Sequence, residues 1–224
     1  MHRTESRWAA LAIILAALAG FVDALAFTSF GAFFASFMSG NTTRLGAGIG
    51  GGSAGDAIVA GALILCFVSG VIVATVVDRA AGPARRQPAV MTVVTLLLLA
   101  AAVVGTLVPQ STIALLLLAS AMGCENGMFQ RNGEVSIGVT YMTGTLVKLG
   151  QKLAAALIGE PGRFDWVPYL ALWSGFLAGA VSGAASQRLW GWNAVWLAAA
   201  IAGLLTLVVA RFATAGRGGP DQAA

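Results

Sequence analysis

Charged residues are scarce in this sequence. Only 10% of its 224 residues are charged, whereas 58% are hydrophobic and the mean hydropathy is +0.85. A soluble domain carries roughly 25% charged residues, and no part of this chain is long and polar enough to form a separate soluble domain of ordinary size. The composition therefore excludes an ordinary soluble protein and predicts an integral membrane protein embedded in a lipid bilayer.

Metal-ligating side chains are also rare. His2 is the single histidine, and Cys66 and Cys124 lie inside apolar segments without CxxC spacing. A multi-histidine metal site is nearly excluded, and we expect both cysteines to act as small buried apolar groups. The HExxH motif of zinc proteases is missing as well. We therefore expect no metal, no cofactor and no enzymatic activity, with acid–base catalysis by two intramembrane carboxyl groups as the alternative.

Basic residues outnumber acidic ones by 13 to 9, which gives a net charge of +4 and a pI of about 9.7. They lie at the ends of apolar runs rather than in one patch, so nucleic-acid binding is not predicted. With six membrane spans and a cytoplasmic N-terminus, 11 of the 13 basic residues fall on the cytoplasmic side, and only Arg44 and Arg188 fall outside. This asymmetry predicts that both termini are cytoplasmic.

Six apolar windows predict six membrane-spanning helices. A bilayer core of about 30 Å requires about 20 apolar residues in a helix, and a helix satisfies every backbone polar group without water. The windows are residues 8–27, 57–77, 89–108, 112 to about 128, 166–185 and 194 to about 210. A cleavable secretory signal is the less favoured interpretation of the first window.

Residues about one hundred positions apart match in order along the chain. Gly20-Phe21-Val22-Asp23 corresponds to Gly123-Cys124-Glu125-Asn126, Met38-Ser39-Gly40-Asn41 to Met142-Thr143-Gly144-Thr145, and Ser69-Gly70 to Ser174-Gly175. The halves 1–111 and 112–224 each hold three spans, an odd number, so the second half must enter the membrane from the opposite side. The pattern predicts one membrane domain of two inverted repeats, with chance matching of common residues as the alternative.

These motifs carry a family resemblance. The runs that begin at Gly20, Met38, Gly123 and Met142 resemble the bacterial YoaK family of multi-pass inner-membrane proteins, a domain of unknown function, over about residues 8 to 211. The resemblance implies a location in the bacterial plasma membrane but no established reaction. In that family Thr or Ser is expected before the first glycine, and Gln often stands where this chain has Glu125, so a role for Glu125 transfers less readily.

Segment 29–52 is too polar and glycine-rich for an ordinary span, yet residues 30–38 are too apolar for a solvated loop. A re-entrant or broken helix fits both facts, because such backbone is tolerated at membrane depth beside protein or a watery cavity. We expect the glycines to permit a sharp turn or a close approach, and the polar residues to cap a helix start or face a ligand. The residues of this candidate binding site in the two halves are Ser39, Gly40, Asn41, Thr42, Thr143, Gly144 and Thr145.

Asp23, Glu125 and Asn126 lie near the ends of apolar windows. An ionisable residue inside a membrane is a functional candidate by default, so we add all three to the predicted binding site. Asp23 is expected to carry a transported proton or to pair with Arg44. In the second half, Glu125 is likewise expected to carry a proton or to pair with Lys148. Arg44 and Lys148 are therefore candidates for ion pairing or gating. The alternative is that both acids cap helix ends in interfacial water.

The function predicted from these features is transport of a small solute or ion, with proton coupling and a binding site between the two repeats. A passive channel and a non-catalytic membrane scaffold are the alternatives. Gly175, Gly179 and Gly183 form a stripe of small residues on one helix face, which predicts close helix packing. That stripe is also compatible with a homodimer contact.

Overall fold

The structure, a computed structural model, describes residues 2–82, 85–131, 134–135 and 140–215. Most of these residues are helical. The elements are α1 (His2–Ser29), α2 (Met38–Gly50), α3 (Ala54–Ala81), α4 (Arg86–Leu107), α5 (Thr112–Asn126), β1 (Gln130–Arg131), β2 (Glu134–Val135), α6 (Met142–Leu157), α7 (Val167–Trp190) and α8 (Ala194–Ala215). The two-residue strands pair antiparallel in a small ribbon after α5, so the described part of the chain is essentially all-helical.

Helices occupy all six windows predicted from the sequence. Within the described residues, four helical stretches are long and apolar enough to cross a membrane: Trp8–Ser29, Ala54–Ala81, Arg86–Leu107 and Val167–Ala213. The last stretch contains both α7 and α8, which a single 3-10 turn separates at Gly191, whose φ is +56°. The apolar helix α5 is shorter, at 15 residues, but it continues into the 3-10 turn Gly127–Phe129, and together they reach about 28 Å. These helices establish a multi-pass membrane architecture.

Helices α2 and α6 are too short to cross a bilayer. They contain 13 and 16 residues, which correspond to about 20 and 24 Å of helix against a hydrocarbon core of about 30 Å. Between α1 and α2 the chain reverses through Gly31 and Ala32, whose φ angles are +64° and +66°. The sharp turn of this segment therefore falls at these two residues, whereas Gly40 lies inside α2.

Helix α1 lies at the centre of the molecule. In its most apolar window 67% of the residues are buried, compared with 22% in α3. It packs mainly against α7, while α3 packs against α5 and α4 against both α5 and α8. The short helices lie at the periphery, α2 against α3 and α6 against α7. Helix α1 is therefore an integral part of the packed helices.

Glycines bring two pairs of helices into close contact. A methyl group at Gly20 of α1 would collide with the carbonyl of Phe176 in α7, and one at Gly123 of α5 would collide with the carbonyl of Phe67 in α3. Backbone approaches of this kind require residues without a side chain. The crossings α1–α7 and α3–α5 are thus built in the same way.

The glycine stripe of α7 is used within the chain. Gly175, Gly179 and Gly183 face Ile13, Ala17 and Phe21 of α1. The prediction of close packing is confirmed, whereas the homodimer contact predicted for this stripe is wrong, because α1 of the same chain already covers it.

Packing also changes one of the matches between the two halves. Gly70 of α3 approaches Ser120 of α5 in the way that Gly179 of α7 approaches Ala17 of α1. The packing counterpart of Gly70 is therefore Gly179 and not Gly175. The match of Ser69-Gly70 with Ser174-Gly175 is displaced by about one helical turn.

Candidate functional site

Asp23, near the end of α1, is hydrogen-bonded to the non-helical segment that follows this helix. Its side chain is 5% exposed, and its Oδ1 accepts a hydrogen bond of 2.7 Å from the backbone N–H of Ser36. Ser36 is also 5% exposed. Asp23 thereby fixes the path of the broken segment against α1.

Asn126 makes the corresponding connection at the end of α5. Its Oδ1 accepts a hydrogen bond of 3.0 Å from the hydroxyl of Thr140, and its Nδ2 donates to the carbonyl of Met122 at 2.9 Å. Asn126 lies 103 positions after Asp23, and Thr140 lies 104 positions after Ser36. We refer to the Asp23–Ser36 and Asn126–Thr140 contacts as the two latches.

Each latch leads directly into a short helix. The N–H of Met38 donates to the carbonyl of Ser36 at 3.0 Å, and the N–H of Met142 donates to the carbonyl of Thr140 at 2.9 Å. Helices α2 and α6 then begin at these two methionines. The two predicted motifs therefore stand at equivalent places, each in the first turn of a short helix.

The polar residues of these motifs do not cap their helices. Neither helix start has a side-chain cap, and Thr42 and Thr145 instead donate to the carbonyls of Met38 and Tyr141, one turn earlier. The prediction of capping is wrong, because these hydroxyls are satisfied by the turn that precedes them. Ser39 and Thr143 are exposed, and their contact with a ligand stays a prediction.

The two glycines of the motifs differ in their surroundings. A methyl group at Gly40 would collide with the ring of Phe37, whereas Gly144 has open space around it. Only the first glycine is therefore required by packing.

Asn41 braces the broken segment from within α2. It is fully buried, its Nδ2 donates to the carbonyl of Phe34 at 2.8 Å, and its Oδ1 accepts from the N–H of Phe34 at 3.1 Å. One side chain thus satisfies both backbone groups of a residue that belongs to no helix. The equivalent Thr145 is buried but bonds only within its own helix.

Arg44 does not contact Asp23. Its guanidinium lies 4.0 Å from the centre of the Phe33 ring, donates to the carbonyl of Ala32 at 3.2 Å and reaches Asp56 at 3.9 Å. The predicted Asp23–Arg44 pair is wrong, because Asp23 is held by Ser36 while Arg44 is drawn to the turn before α2 and to α3.

Lys148 is exposed on α6 and has no ion pair among the described residues. Lys152, one turn further along, pairs with Asp165 at 3.3 Å. Within the described residues the predicted pairing of Lys148 with Glu125 is likewise wrong, because Glu125 is fully buried in the core while Lys148 lies on the outer surface.

Glu125 is the exception among the buried polar residues. Its side chain is fully buried, and neither Oε1 nor Oε2 has a hydrogen-bond partner in the part of the chain that the structure describes. Leu118 and Met122, seven and three positions earlier on the same helix, are fully buried as well. The alternative, in which both acids cap helix ends in interfacial water, is wrong, since Asp23 and Glu125 are both buried.

Sequence reasoning missed Ser36 and Thr140, although a signal for them exists. The matching motifs begin two residues before the methionines: Ser36-Phe37 precedes Met38, and Thr140-Tyr141 precedes Met142. In both halves a hydroxyl residue is thus followed by an aromatic residue and methionine. This longer pattern identifies both latch partners.

A second overlooked pattern has a structural explanation. Residues 51–55 read Gly-Gly-Ser-Ala-Gly, which matches the GxSxG spacing of serine hydrolases. In those enzymes the serine sits on a strained turn from a strand into a helix. Here Ser53 is exposed in a turn between α2 and α3. The match therefore gives no nucleophile elbow.

Comparisons with known proteins place the chain in a family. A family model described as "Protein of unknown function (DUF1275)" matches residues 11–208. The chain belongs to this family. A UPF0700 transmembrane protein of Rhizobium meliloti (strain 1021) is 32% identical over 205 residues, which cover 92% of this chain and 87% of the relative. No solved structure matches the chain.

The transmembrane description of the relative agrees with the long apolar helices of this chain. Together with membership of DUF1275, it confirms the expectation of a membrane family of unknown function, whereas the name YoaK stays a resemblance. The chain is a multi-pass membrane protein, and its many exposed apolar side chains, such as Ile58 at 70% and Leu107 at 75% exposure, form the surface that contacts lipid.

Proposed function

We propose that this DUF1275 protein is a transporter of a small solute or ion, with its binding site between two inverted repeats. In this proposal α1, α3 and α4 are the spans of the first repeat, residues 1–111. Helices α5, α7 and α8 are the spans of the second repeat, residues 112–224, and α2 and α6 are re-entrant helices. Inverted repeats with broken helices are the architecture in which secondary transporters bind their substrates.

The observation that carries this proposal is the correspondence of the two latches. In both halves a polar side chain near the end of a long helix bonds to a residue two positions before the methionine that starts a short helix. The glycine crossings at Gly20 and Gly123 support the same relationship. A two-fold relation between two broken helices supplies what alternating access requires, namely two equivalent movable elements around one site.

Polar side chains gather near these breaks, where a ligand would be bound. Asp23, Asn41, Glu125, Asn126 and Thr145 are all buried. Buried polar groups are costly inside a membrane and are concentrated along substrate and ion pathways. We propose that these residues form the binding site and that the exposed Ser39, Thr42, Thr143 and Gly144 line its approach.

Location and orientation complete the proposal. The family resemblance supports a location in the bacterial plasma membrane, and the charge asymmetry of the sequence supports a cytoplasmic position for both termini. No group of three or more metal-ligating side chains occurs among the described residues. We propose that transport proceeds without an enzymatic step, and that Arg44 holds the turn before α2 while Lys148 lies at the membrane surface.

The test is a binding screen followed by a flux measurement. Purified protein is screened by thermal shift against a library of small solutes and ions at two pH values, because a ligand that binds the native state raises its apparent stability. Each solute that raises the unfolding temperature is then assayed for uptake into proteoliposomes with the outside more acidic than the inside.

A transporter coupled to protons takes up the solute only while the pH gradient lasts. The variants Asp23→Asn and Glu125→Gln show which acid couples solute uptake to proton movement. Glu160→Gln is the matched control, because Glu160 is exposed in the loop after α6. Uptake that ignores the gradient indicates a channel. The absence of any stabilising solute, together with unchanged behaviour when both motifs carry bulky substitutions, indicates a scaffold and overturns the proposal.

A further inference from the structure

The carboxyl group of Glu125 is buried without any compensating contact. Both of its oxygens are inaccessible, and neither accepts a hydrogen bond within the described residues. An ionised carboxylate removed from water costs several kcal/mol or more unless it is paired. Buried polar groups in native proteins almost always have partners. Glu125 therefore requires an explanation that packing does not provide.

The neighbouring polar residues show what a satisfied group looks like here. Asp23 accepts the N–H of Ser36, Asn126 bonds to Met122 and Thr140, and Asn41 holds both backbone groups of Phe34. Each of these side chains has a fixed structural role. Glu125 has none, and the position that matches it in the first half is Val22, which is also fully buried. The first half thus fills the matching position with an apolar residue.

The helices packed against α5 provide no cation for Glu125. Helix α1 contributes Asp23, α4 begins at Arg86, and α3 carries the ionisable residues Asp56, Cys66, Asp78 and Arg79. Cys124 contacts α3 at Gly70, which is about 14 Å along the helix from Arg79, the basic residue of α3. No ion pair within 4.0 Å joins Glu125 to any described residue.

We propose that Glu125 is a proton-binding site. Its carboxylate takes up one H⁺ to form a neutral carboxylic acid, which can remain in apolar surroundings, and it releases the proton when movement of the helices admits water. A larger cation is disfavoured, because metal ions require several oxygen ligands and no group of three or more metal-ligating side chains occurs among the described residues. The role of this proton as the coupling ion rests on the proposed transport function.

Labelling with dicyclohexylcarbodiimide tests the proton site without any transport measurement. This apolar reagent reaches carboxyl groups inside a membrane and reacts with their protonated form. Purified protein in liposomes is treated over a range of pH, and the adducts are counted by mass spectrometry of the intact chain and located by peptide mapping. We expect one adduct per chain, at Glu125, with labelling that decreases as the pH is raised.

The variants give the matched comparison. Glu125→Gln removes the adduct, while Glu160→Gln and Asp23→Asn retain it. No adduct in the wild type, an adduct at Asp23 instead, or labelling that persists in Glu125→Gln overturns the proposal. If Glu125→Gln does not fold, the peptide map of the wild-type chain still decides the question.

The labelling and uptake experiments fail independently. Labelled Glu125 in a protein without gradient-driven uptake supports the proton site and removes the transport function. Gradient-driven uptake with unlabelled Glu125 removes the proton site and retains transport.

Discussion

The two repeats that we propose, residues 1–111 and 112–224, have matching helices but hold their short helices differently. In the first half α2 packs against α3, with Asn41 and Gly48 buried, and Arg44 fastens the preceding turn. In the second half α6 packs mainly against α7, and Thr145 is its single buried residue. Segments with few buried contacts move at a lower cost in free energy. The comparison indicates that α6 shifts more readily than α2.

The buried polar groups differ in the same direction. The first half has Asp23 at its latch and Val22 beside it, whereas the second half has the neutral Asn126 at its latch and the unpaired Glu125 beside it. The first acid stabilises the fold and the second has no visible structural purpose. Residues that break local rules of stability concentrate at functional sites. We therefore expect substitutions at matching positions to reveal which features the halves share.

The largest expected effect lies at the glycine crossings, which both halves share. Gly20→Val and Gly123→Val each place a side chain against a backbone carbonyl of the facing helix. We expect each to lower the free energy of unfolding by about 3 kcal/mol, measured as a lowered thermal midpoint in detergent. Gly46→Val and Gly150→Val are matched controls in open space, with effects within about 1 kcal/mol. Loss of stability at only one crossing would contradict the two-fold relation.

The second prediction compares the stability cost of alanine substitutions at the matching positions Asn41 and Thr145. Asn41→Ala leaves the buried N–H and C=O of Phe34 unpaired, which we expect to cost about 2–3 kcal/mol. Thr145→Ala removes one bond within a helix and should cost less than about 1 kcal/mol. Chemical denaturation measures both changes.

Thr42→Ala is the control for these two variants, because the exposed Thr42 makes the same kind of bond within α2. Equal losses of unfolding free energy in Asn41→Ala and Thr145→Ala would show that α2 and α6 are held alike, which contradicts the difference between the two short helices.

The third prediction is a gain of stability at Glu125. Glu125→Leu replaces an unpaired buried carboxyl group with an apolar side chain like the matching Val22, and we expect the free energy of unfolding to rise by about 1–2 kcal/mol. The thermal midpoint rises accordingly, and gradient-driven uptake is lost. A destabilised Glu125→Leu variant would mean that the carboxyl group has a structural partner after all.

Much of this architecture follows from the sequence. Apolar run length predicts the helices, because a bilayer leaves few alternatives for the backbone, and the matched motifs locate the starts of α2 and α6. The role of each polar side chain is harder to predict. Capping by Ser39 or Thr143 and pairing of Arg44 with Asp23 are both chemically reasonable, and only the three-dimensional path of residues 30–37 decides against them. The burial of Glu125 depends on helix rotation, which a uniformly apolar helix does not encode in its sequence.

The smallest expected effect tests whether the two latches are interchangeable. Because Asn126 performs in the second half what Asp23 performs in the first, Asp23→Asn should keep an acceptor for the N–H of Ser36 and cost less than about 1 kcal/mol. Asp23→Leu removes the acceptor and leaves a buried N–H unpaired, at a cost of about 2 kcal/mol. Thermal midpoints of both variants, measured beside the wild type, give this difference. If Asp23→Asn is as damaging as Asp23→Leu, the charge of Asp23 is essential, and the two latches share geometry but not chemistry.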